Sequence, residues 1–426
     1  MKKLPLHIKI IIGLILGVVV GILSREYGFQ QFVMDWFNPF GKIFMNGLKL
    51  IAVPLVLASL IMGIAGMKDF ANLSKMGTKT MILYVFTTVL AVTIGLTFVN
   101  VVGPGEGFPE DLKAELMSQF SGDAAKKIGS MSAVKDRGPL QALVDIVPSN
   151  IFSSISSNRN MLQAVFFALI FGIALMKIDS EKAKPVIGFF DGLNEVIMKL
   201  VDFIMILAPI AVFGLLSGLI AGFSGDIYGL LYELGEYCIT VLAGLLTMIL
   251  IVYPLILFIL TKGKVNLKNF YKGILPAQLL AFSTSSSAAT LPVTKEQCEN
   301  ALGIDEEVTS FVLPLGATIN MDGTSLYQAV AAVFIANVAG FDLTLGDQLS
   351  ILAMSVLASI GSAAVPGAGI VMLAVVLESL GIPLELIALI LGVDRILDMC
   401  RTTVNVTGDA TVSYIIASQL GKIKTK

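Results

Sequence analysis

Histidine is all but missing from this sequence: there is one, His7, close to the N-terminus. No Ser–His or Cys–His pair can assemble in the interior, which removes most hydrolase chemistry. Cysteine is scarce too. Cys238, Cys298 and Cys400 are an odd number at unrelated spacings, which argues against a disulfide framework and against a metal cluster. Charge is the third shortage. Asp, Glu, Lys and Arg make up 14% of 426 residues, with a net charge of −2. A soluble domain of that length needs a far more charged surface, and no basic patch offers itself to nucleic acid.

Apolar residues fill the space. They are 56% of the chain, and mean hydropathy is +0.87. Runs of about 20 apolar residues recur from end to end, the pattern of an all-α polytopic membrane protein in a lipid bilayer. The segment after Met1-Lys2-Lys3 has no small-residue cleavage site and reads as a first span rather than a removed signal peptide. Spans are predicted over 5–24, 40–66, 79–103, 147–178, 184–221 and 227–261. Beyond them, two continuous polar-faced helices (308–337 and 385–420) alternate with two interrupted segments (266–300 and 345–380). Lysines punctuate every second boundary: Lys2, Lys3 and Lys9, then Lys68, Lys75 and Lys79, then Lys177 to Lys184, Lys262 to Lys272 and Lys422 to Lys426. Positive residues mark the cytoplasmic side, so both termini are predicted cytoplasmic in a cell-membrane protein. The polar stretch 104–145 is then an extracellular linker.

The last span carries its polar residues on one face. Asp394, Asp398, Arg401, Asn405 and Asp409 fall within an arc of roughly 80° at about 100° per residue. A charge near the bilayer centre costs about 2.5–3.5 kcal/mol even on insertion scales, so this stripe lines a water-filled or ligand-filled site. Arg401 reads either as a structural ion pair with Asp398 and Asp409 or as a planar fork for a substrate carboxylate. Asp398 suits an ammonium group. The two together fit an amino acid with a second carboxylate.

The interrupted segments resemble each other. SAATLP at 287–292 and SAAVP at 362–366 are each followed by a helix with an Asn–Gly pair, Asn320 with Gly323 and Asn405 with Gly408. A repeat of broken segment plus polar helix is the pattern of a secondary transporter with an inverted repeat. Small-residue tips at membrane depth supply free N–H groups and positive helix ends, which bind carboxylate, unless they only pack helices closely. Oxygens from Asn320, Asp322, Asn405 and Asp409 suit a hard monovalent cation such as sodium, or an interhelical clamp.

At these residues the chain resembles a known family. SSSAATLP, LPLGATINMDGTSLYQ, SIGSAAVPGAG and DRILDMCRTTVNVTGD look like the signature motifs of the glutamate/aspartate transporters: the animal excitatory amino acid transporters and the archaeal sodium–aspartate symporters. The resemblance runs through the whole chain and is densest over 280–415. It implies eight transmembrane helices, two re-entrant helical hairpins, a homotrimer and an elevator motion. Residues 1–78 and 146–222 would form a scaffold, and 79–103 with 223–426 a transport core. Sodium would be a co-transported ligand, with no cofactor. Ser286, Ser287, Thr324, Asp398, Arg401, Thr402 and Asn405 would touch substrate, with Val365 and Gly369 closing over it as a gate. Arg401 would hold the side-chain carboxylate, Asp398 the amino group, and Asn405 with the first hairpin the α-carboxylate. One sodium site would use Gly316, Asn320, Asn405 and Asp409. A second would use carbonyls of Thr318, Ser359, Ile360 and Ser362. A third would use Asn320, Asp322, Tyr84, Thr87 and Thr88.

The chain also departs from the pattern. Archaeal members carry an arginine where this chain has Ser285, and animal members carry one where it has Met399. Here Arg395 follows Asp394 instead, and Gln328 stands where animal members have a glutamate. Members that carry dicarboxylates lack the Asp at 398, and members that carry neutral amino acids lack the Arg at 401; this chain has both. The expected function is sodium-coupled transport of L-aspartate or L-glutamate, and the rival is a proton-coupled acidic amino-acid or C4-dicarboxylate carrier of the same fold. A passive anion channel is a different class, and an intramembrane enzyme is the weakest reading, with one histidine in the chain.

Overall fold

The computed structural model describes residues 6–65, 74–108, 147–156, 161–222, 227–362, 364 and 367–424. They are almost wholly helical. The first elements are α1 (Leu6–Tyr27), α2 (Gln30–Trp36), α3 (Asn38–Ala65) and α4 (Ser74–Val102). After the predicted linker, which from 109 to 146 lies outside the described residues, come α5 (Ile151–Ile155), α6 (Met161–Lys177) and α7 (Ser180–Gly222). Next are α8 (Ile227–Thr247), a π-helical turn (Met248–Val252) and α9 (Tyr253–Leu260). The remainder is α10 (Leu267–Thr284), α11 (Ser287–Asn300), α12 (Glu306–Ile319), α13 (Asp322–Val338), α14 (Leu345–Gly361), α15 (Ala368–Ser379) and α16 (Ala388–Leu420). Among the described residues three helical stretches are long and apolar enough to cross a membrane: Ile8–Tyr27, Met76–Val102 and Tyr232–Leu260.

Two predicted boundaries are corrected. The span expected over 147–178 is α6 alone, preceded by the short α5. Asn150 caps α5 by accepting from the Phe152 amide (2.9 Å), and the Ser153 and Ser154 hydroxyls donate to the Asn150 carbonyl, so local side-chain bonds close a separate turn. The helix expected to run unbroken over 308–337 is split at Asn320–Met321, between α12 and α13. The break persists because neighbours satisfy the groups it frees. The Ser359 hydroxyl receives the Met321 amide (2.9 Å) and donates to the Ile319 carbonyl (3.1 Å), and Asn405 Oδ1 receives the Gly323 amide (2.8 Å). Irregular backbone at membrane depth is tolerated only with such partners.

The two interrupted segments are broken where the sequence places them. The interrupted segment 266–300 is α10 and α11, packed on each other and separated at Ser285–Ser286. The segment 345–380 is α14 and α15, parted over 362–367. Ser285 is left-handed (φ +53°), as is Gly367 (φ +83°). Helix α16 follows a short 3₁₀ turn, Leu384–Ile387.

Helices α1, α3, α6 and α7 pack mainly on one another. On α1, Gly13, Gly17 and Gly21 repeat every four residues, on one face. A Cβ on Gly17 would come within 2.9 Å of the Phe213 carbonyl, and one on Gly21 within 2.6 Å of the Ile220 side chain. Only glycine lets α1 and α7 approach so closely, the small-residue packing of membrane helices. The outward faces stay apolar: Ile15, Phe203 and Ile206 are more than half exposed, as lipid-facing residues are. In the second set, α4, α8, α14, α15 and α16 pack around α13. Every residue of α13 except Asn337 is buried.

Candidate functional site

The site grows from helix ends. Three helices start at one place: α11 at Ser287, α13 at Asp322 and α15 at Ala368. Helix N-termini carry free N–H groups and positive partial charge, so their convergence favours an anion. Ser285, Ser287, Thr324, Gly369, Asp398, Thr402 and Asn405 line a small polar pocket there, with Met321, Ser362 and Ala364. Ser286, predicted to touch substrate, does not line it. Its hydroxyl donates to the Ala364 carbonyl (2.7 Å) and accepts from the Ala289 amide (3.1 Å), capping α11 and joining the two hairpin tips. The Ser285 and Ser362 hydroxyls are buried without a hydrogen-bond partner. Val365 lies outside the described residues.

The α16 stripe is buried along its length: Asp394, Asp398, Arg401, Asn405 and Asp409 are each 7% exposed or less. Arg401 has two carboxylates, and they correct the pairing expected from sequence. Its Nη1 lies 2.9 Å from Asp394 Oδ1 and its Nη2 2.9 Å from Asp398 Oδ1. Asp409, eight residues on and about 12 Å along the helix, bonds to Asn320 instead (2.9 Å). The Arg401 guanidinium also covers the Tyr327 ring at 3.7 Å from its centroid, a cation–π contact in a dry setting. The free oxygen of Asp398 accepts from the Gly367 amide at 3.2 Å and faces Arg395 Nη1 at 3.6 Å. Asp398 thus links α16 to the α15 tip. A Cβ on Gly369 would sit 3.3 Å from Arg401 Nη1, so the tip rests against the guanidinium.

Asn405 joins this pocket to an oxygen-rich cluster. Its amide nitrogen donates to Thr324 Oγ1 (3.2 Å), and its oxygen receives the Gly323 amide. Thr402 bonds back to the Asp398 carbonyl (2.8 Å). Behind them Asp322 is fully buried. Its Oδ1 accepts from Thr88 (2.8 Å) and Thr87 (3.3 Å), and its Oδ2 from Tyr253 (2.8 Å). Thr87 also reaches Asn320 Oδ1 (3.3 Å). The Tyr84 hydroxyl donates to the Val312 carbonyl (2.9 Å), and a Cβ on Gly316 would strike both that hydroxyl and Asp409 Oδ1. The structure therefore brings together Tyr84, Thr87, Thr88, Gly316, Asn320, Asp322 and Asp409. The Asn405 side chain turns toward the pocket instead. Hydroxyl, amide and carboxylate oxygens without sulfur or imidazole suit an alkali cation.

The second predicted sodium site, Thr318, Ser359, Ile360 and Ser362, lies where α12 and α14 end. Their last carbonyls lack helical partners and carry negative partial charge. Thr318 is exposed, Ile360 half-buried, and Ser359 and Ser362 buried. Ser359 ties this corner to the α12–α13 break by the two bonds above.

Asp394 was read onto the polar face without a partner, and two side chains escaped the sequence reading of the site. Tyr327 follows Thr324 by three residues on α13, the spacing of one helix face. Tyr253 was signalled only by a tyrosine–proline pair in an otherwise aliphatic run.

The chain is similar to known proteins over nearly its whole length. A family model described as the sodium:dicarboxylate symporter family matches residues 6–419. The chain is 36% identical over 422 residues to the proton/sodium-glutamate symport protein of Geobacillus stearothermophilus, covering 99% of this chain and 96% of that protein. It is 36% identical over 448 residues to excitatory amino acid transporter 1 of Ambystoma tigrinum, covering 95% of this chain and 81% of that one. With excitatory amino acid transporter 3 of Oryctolagus cuniculus it shares 34% over 459 residues, 98% and 86% of the two chains.

Proposed function

The chain belongs to the sodium:dicarboxylate symporter family, and on that premise we propose how its site works. The protein is a secondary active transporter, not an enzyme. It carries an acidic amino acid, L-aspartate or L-glutamate, in symport with sodium, and uses no cofactor. It is an all-helical membrane protein. In our reading it sits in the cell membrane with both termini cytoplasmic, α10–α11 and α14–α15 are re-entrant hairpins, and eight further segments cross the bilayer. The division of packing between α1, α3, α6 and α7 on one side and α4 with α8–α16 on the other supports a scaffold of 1–78 and 146–222 and a transport core of 79–103 and 223–426. Sliding of the core against the scaffold, within a homotrimer, would carry the site across.

The observation that carries the substrate assignment is the doubly paired Arg401. A buried ion pair broken on one side costs about 3–5 kcal/mol, so Arg401 can release Asp398 only for an equivalent anion. A substrate carboxylate is one. The ammonium group of the same molecule then compensates Asp398, and Asp394 stays on Arg401. Every charge keeps a partner through this exchange, and a zwitterion with a second carboxylate is the ligand that permits it. The remaining carboxylate meets the α11 and α13 N-termini, Thr402 and Asn405. Because Asp398 also holds the Gly367 amide, the exchange acts directly on the α15 tip, the proposed gate with Gly369.

Sodium binds at Asp322 with Thr87, Thr88 and Asn320, at Asp409 with Asn320 and Gly316, and at the α12 and α14 ends with Thr318, Ser359, Ile360 and Ser362. Asn405, bonded to the α13 N-terminus, joins ion and substrate sites. The second reading is a proton-coupled carrier of the same fold, favoured by the name of the Geobacillus relative, which includes a proton. Radiolabelled uptake into proteoliposomes, with substrate and cation varied independently, separates the two. Apparent aspartate affinity that ignores sodium from micromolar to hundreds of millimolar would hand the function to the proton reading.

A further inference from the structure

Two buried tyrosines on the run from α8 to α9 use their hydroxyls differently. Tyr237 stacks on Phe334 with ring centroids 4.7 Å apart, and its hydroxyl has no hydrogen-bond partner. Tyr253, fully buried, donates to Asp322 Oδ2 at 2.8 Å and lies 3.3 Å from the Val404 carbonyl of α16. A phenol has one proton, and the shorter, charge-assisted contact takes it.

The helix is reshaped where it delivers this hydroxyl. Pro254 has no N–H to return to the Leu250 carbonyl, and the preceding turn, Met248–Val252, is π-helical. Such single-turn bulges recur at functional positions. The Tyr271 hydroxyl bonds to the Ile249 carbonyl within the bulge. Across from it, α16 presents Gly408. A Cβ there would lie 2.7 Å from the Tyr253 hydroxyl oxygen and 3.1 Å from Asp322 Oδ2. Bulge, proline and glycine together make room for one hydroxyl against one carboxylate.

We propose that Tyr253 is a positioning residue for a monovalent cation at Asp322. Its bond fixes Oδ2, so that Oδ1 faces the hydroxyls of Thr87 and Thr88 with Asn320 beside them. The same hydroxyl lies against α16 at Gly408, three residues after Asn405, the side chain that meets the substrate pocket. The inference rests on the sodium-coupled reading above and adds a residue that none of the motifs quoted for the family contains. Removing a bond that orients an ion ligand costs about 10–100-fold in ion affinity.

The test uses the full-length protein with two isosteric substitutions, Tyr253→Phe and, as control, Tyr237→Phe. Three quantities are measured: sodium half-saturation for aspartate binding, aspartate affinity at saturating sodium, and the sodium-induced rise in melting temperature without substrate. The melting temperature in the absence of sodium checks folding. Tyr253→Phe should raise the sodium half-saturation by about 10-fold or more and shrink the sodium-induced rise. Aspartate affinity at saturating sodium should stay within about twofold, and Tyr237→Phe should match the unsubstituted protein. An unchanged sodium half-saturation in Tyr253→Phe overturns the proposal alone, as does an equal loss in aspartate affinity at saturating sodium. If the unsubstituted protein itself does not respond to sodium, the sodium-coupled reading falls and takes the proposal with it.

Discussion

Helices α1 and α13 are both apolar in bulk, but they hold their neighbours by different means. On α1, three glycines bring the backbone against α7 and the opposite face is left to lipid. Ser24, buried on the same helix, bonds within α1 itself, to the Gly21 carbonyl. On α13, every residue but Asn337 is buried. Its first turn donates and accepts bonds with α4, α9, α14 and α16, so its position depends on many partners at once. A contact held by close backbone packing keeps its shape as ions and ligands come and go. A polar network in low dielectric responds to every added ion or ligand. The division of labour between scaffold and core proposed above has this physical basis.

The hardest test of the contrast is at Arg401. Arg401→Cys should remove acidic amino-acid binding, by about 100-fold or more given the 3–5 kcal/mol cost of an unpaired buried carboxylate. Asp398 would remain to hold an ammonium group, so neutral amino acids become candidates for uptake. Aspartate and glutamate affinities that survive in this variant would break the assignment of the core as an electrostatic site.

Next in size are the ion ligands. Asp322→Asn and Asp409→Asn should each raise the sodium concentration needed for half-maximal aspartate binding by about 10–100-fold. Linkage requires that sodium and substrate tighten each other by the same factor, so titrating each ligand at fixed levels of the other gives an internal check. A variant that weakens substrate equally at all sodium concentrations would show the carboxylate to be structural.

A substitution in the scaffold should do the reverse. Gly17→Leu forces a side chain to within 2.9 Å of the Phe213 carbonyl, and overpacking costs about 1–3 kcal/mol. The melting temperature should fall, while sodium and aspartate affinities in the surviving folded protein stay within about threefold of the unsubstituted values. Equal damage to binding and to stability would erase the distinction between the two regions.

The smallest expected effect is that of pH. Gln328, buried at the middle of α13, has no titratable group, and the chain's one histidine is His7. Uptake at a fixed sodium gradient should therefore vary by less than about twofold between about pH 6 and 8. Internal pH recorded in proteoliposomes during sodium-driven uptake checks this. Substrate-dependent acidification abolished by Asp394→Asn would name that carboxylate as a proton carrier.

Much of this protein was readable from residue order. Hydropathy located the apolar segments, because burial in lipid is a local property of about 20 consecutive residues. The period of 3.6 put five polar residues on one face of α16, and small-residue tracts marked the two broken segments. The motifs then named the family. What could not be read depends on neighbours far apart in the chain. Asn320-Met321 looks helical until Ser359 and Asn405 supply partners for the freed backbone groups. Asp409 sits on the same stripe as Arg401, yet a straight helix sets the two about 12 Å apart, and Asn320 claims the carboxylate. Tyr253 belongs to an aliphatic span until the π turn aims its hydroxyl at Asp322, which lies 69 residues away in sequence. Periodicity assigns a face, whereas a hydrogen bond needs a particular atom at about 3 Å, and that distance is decided only when the helices pack.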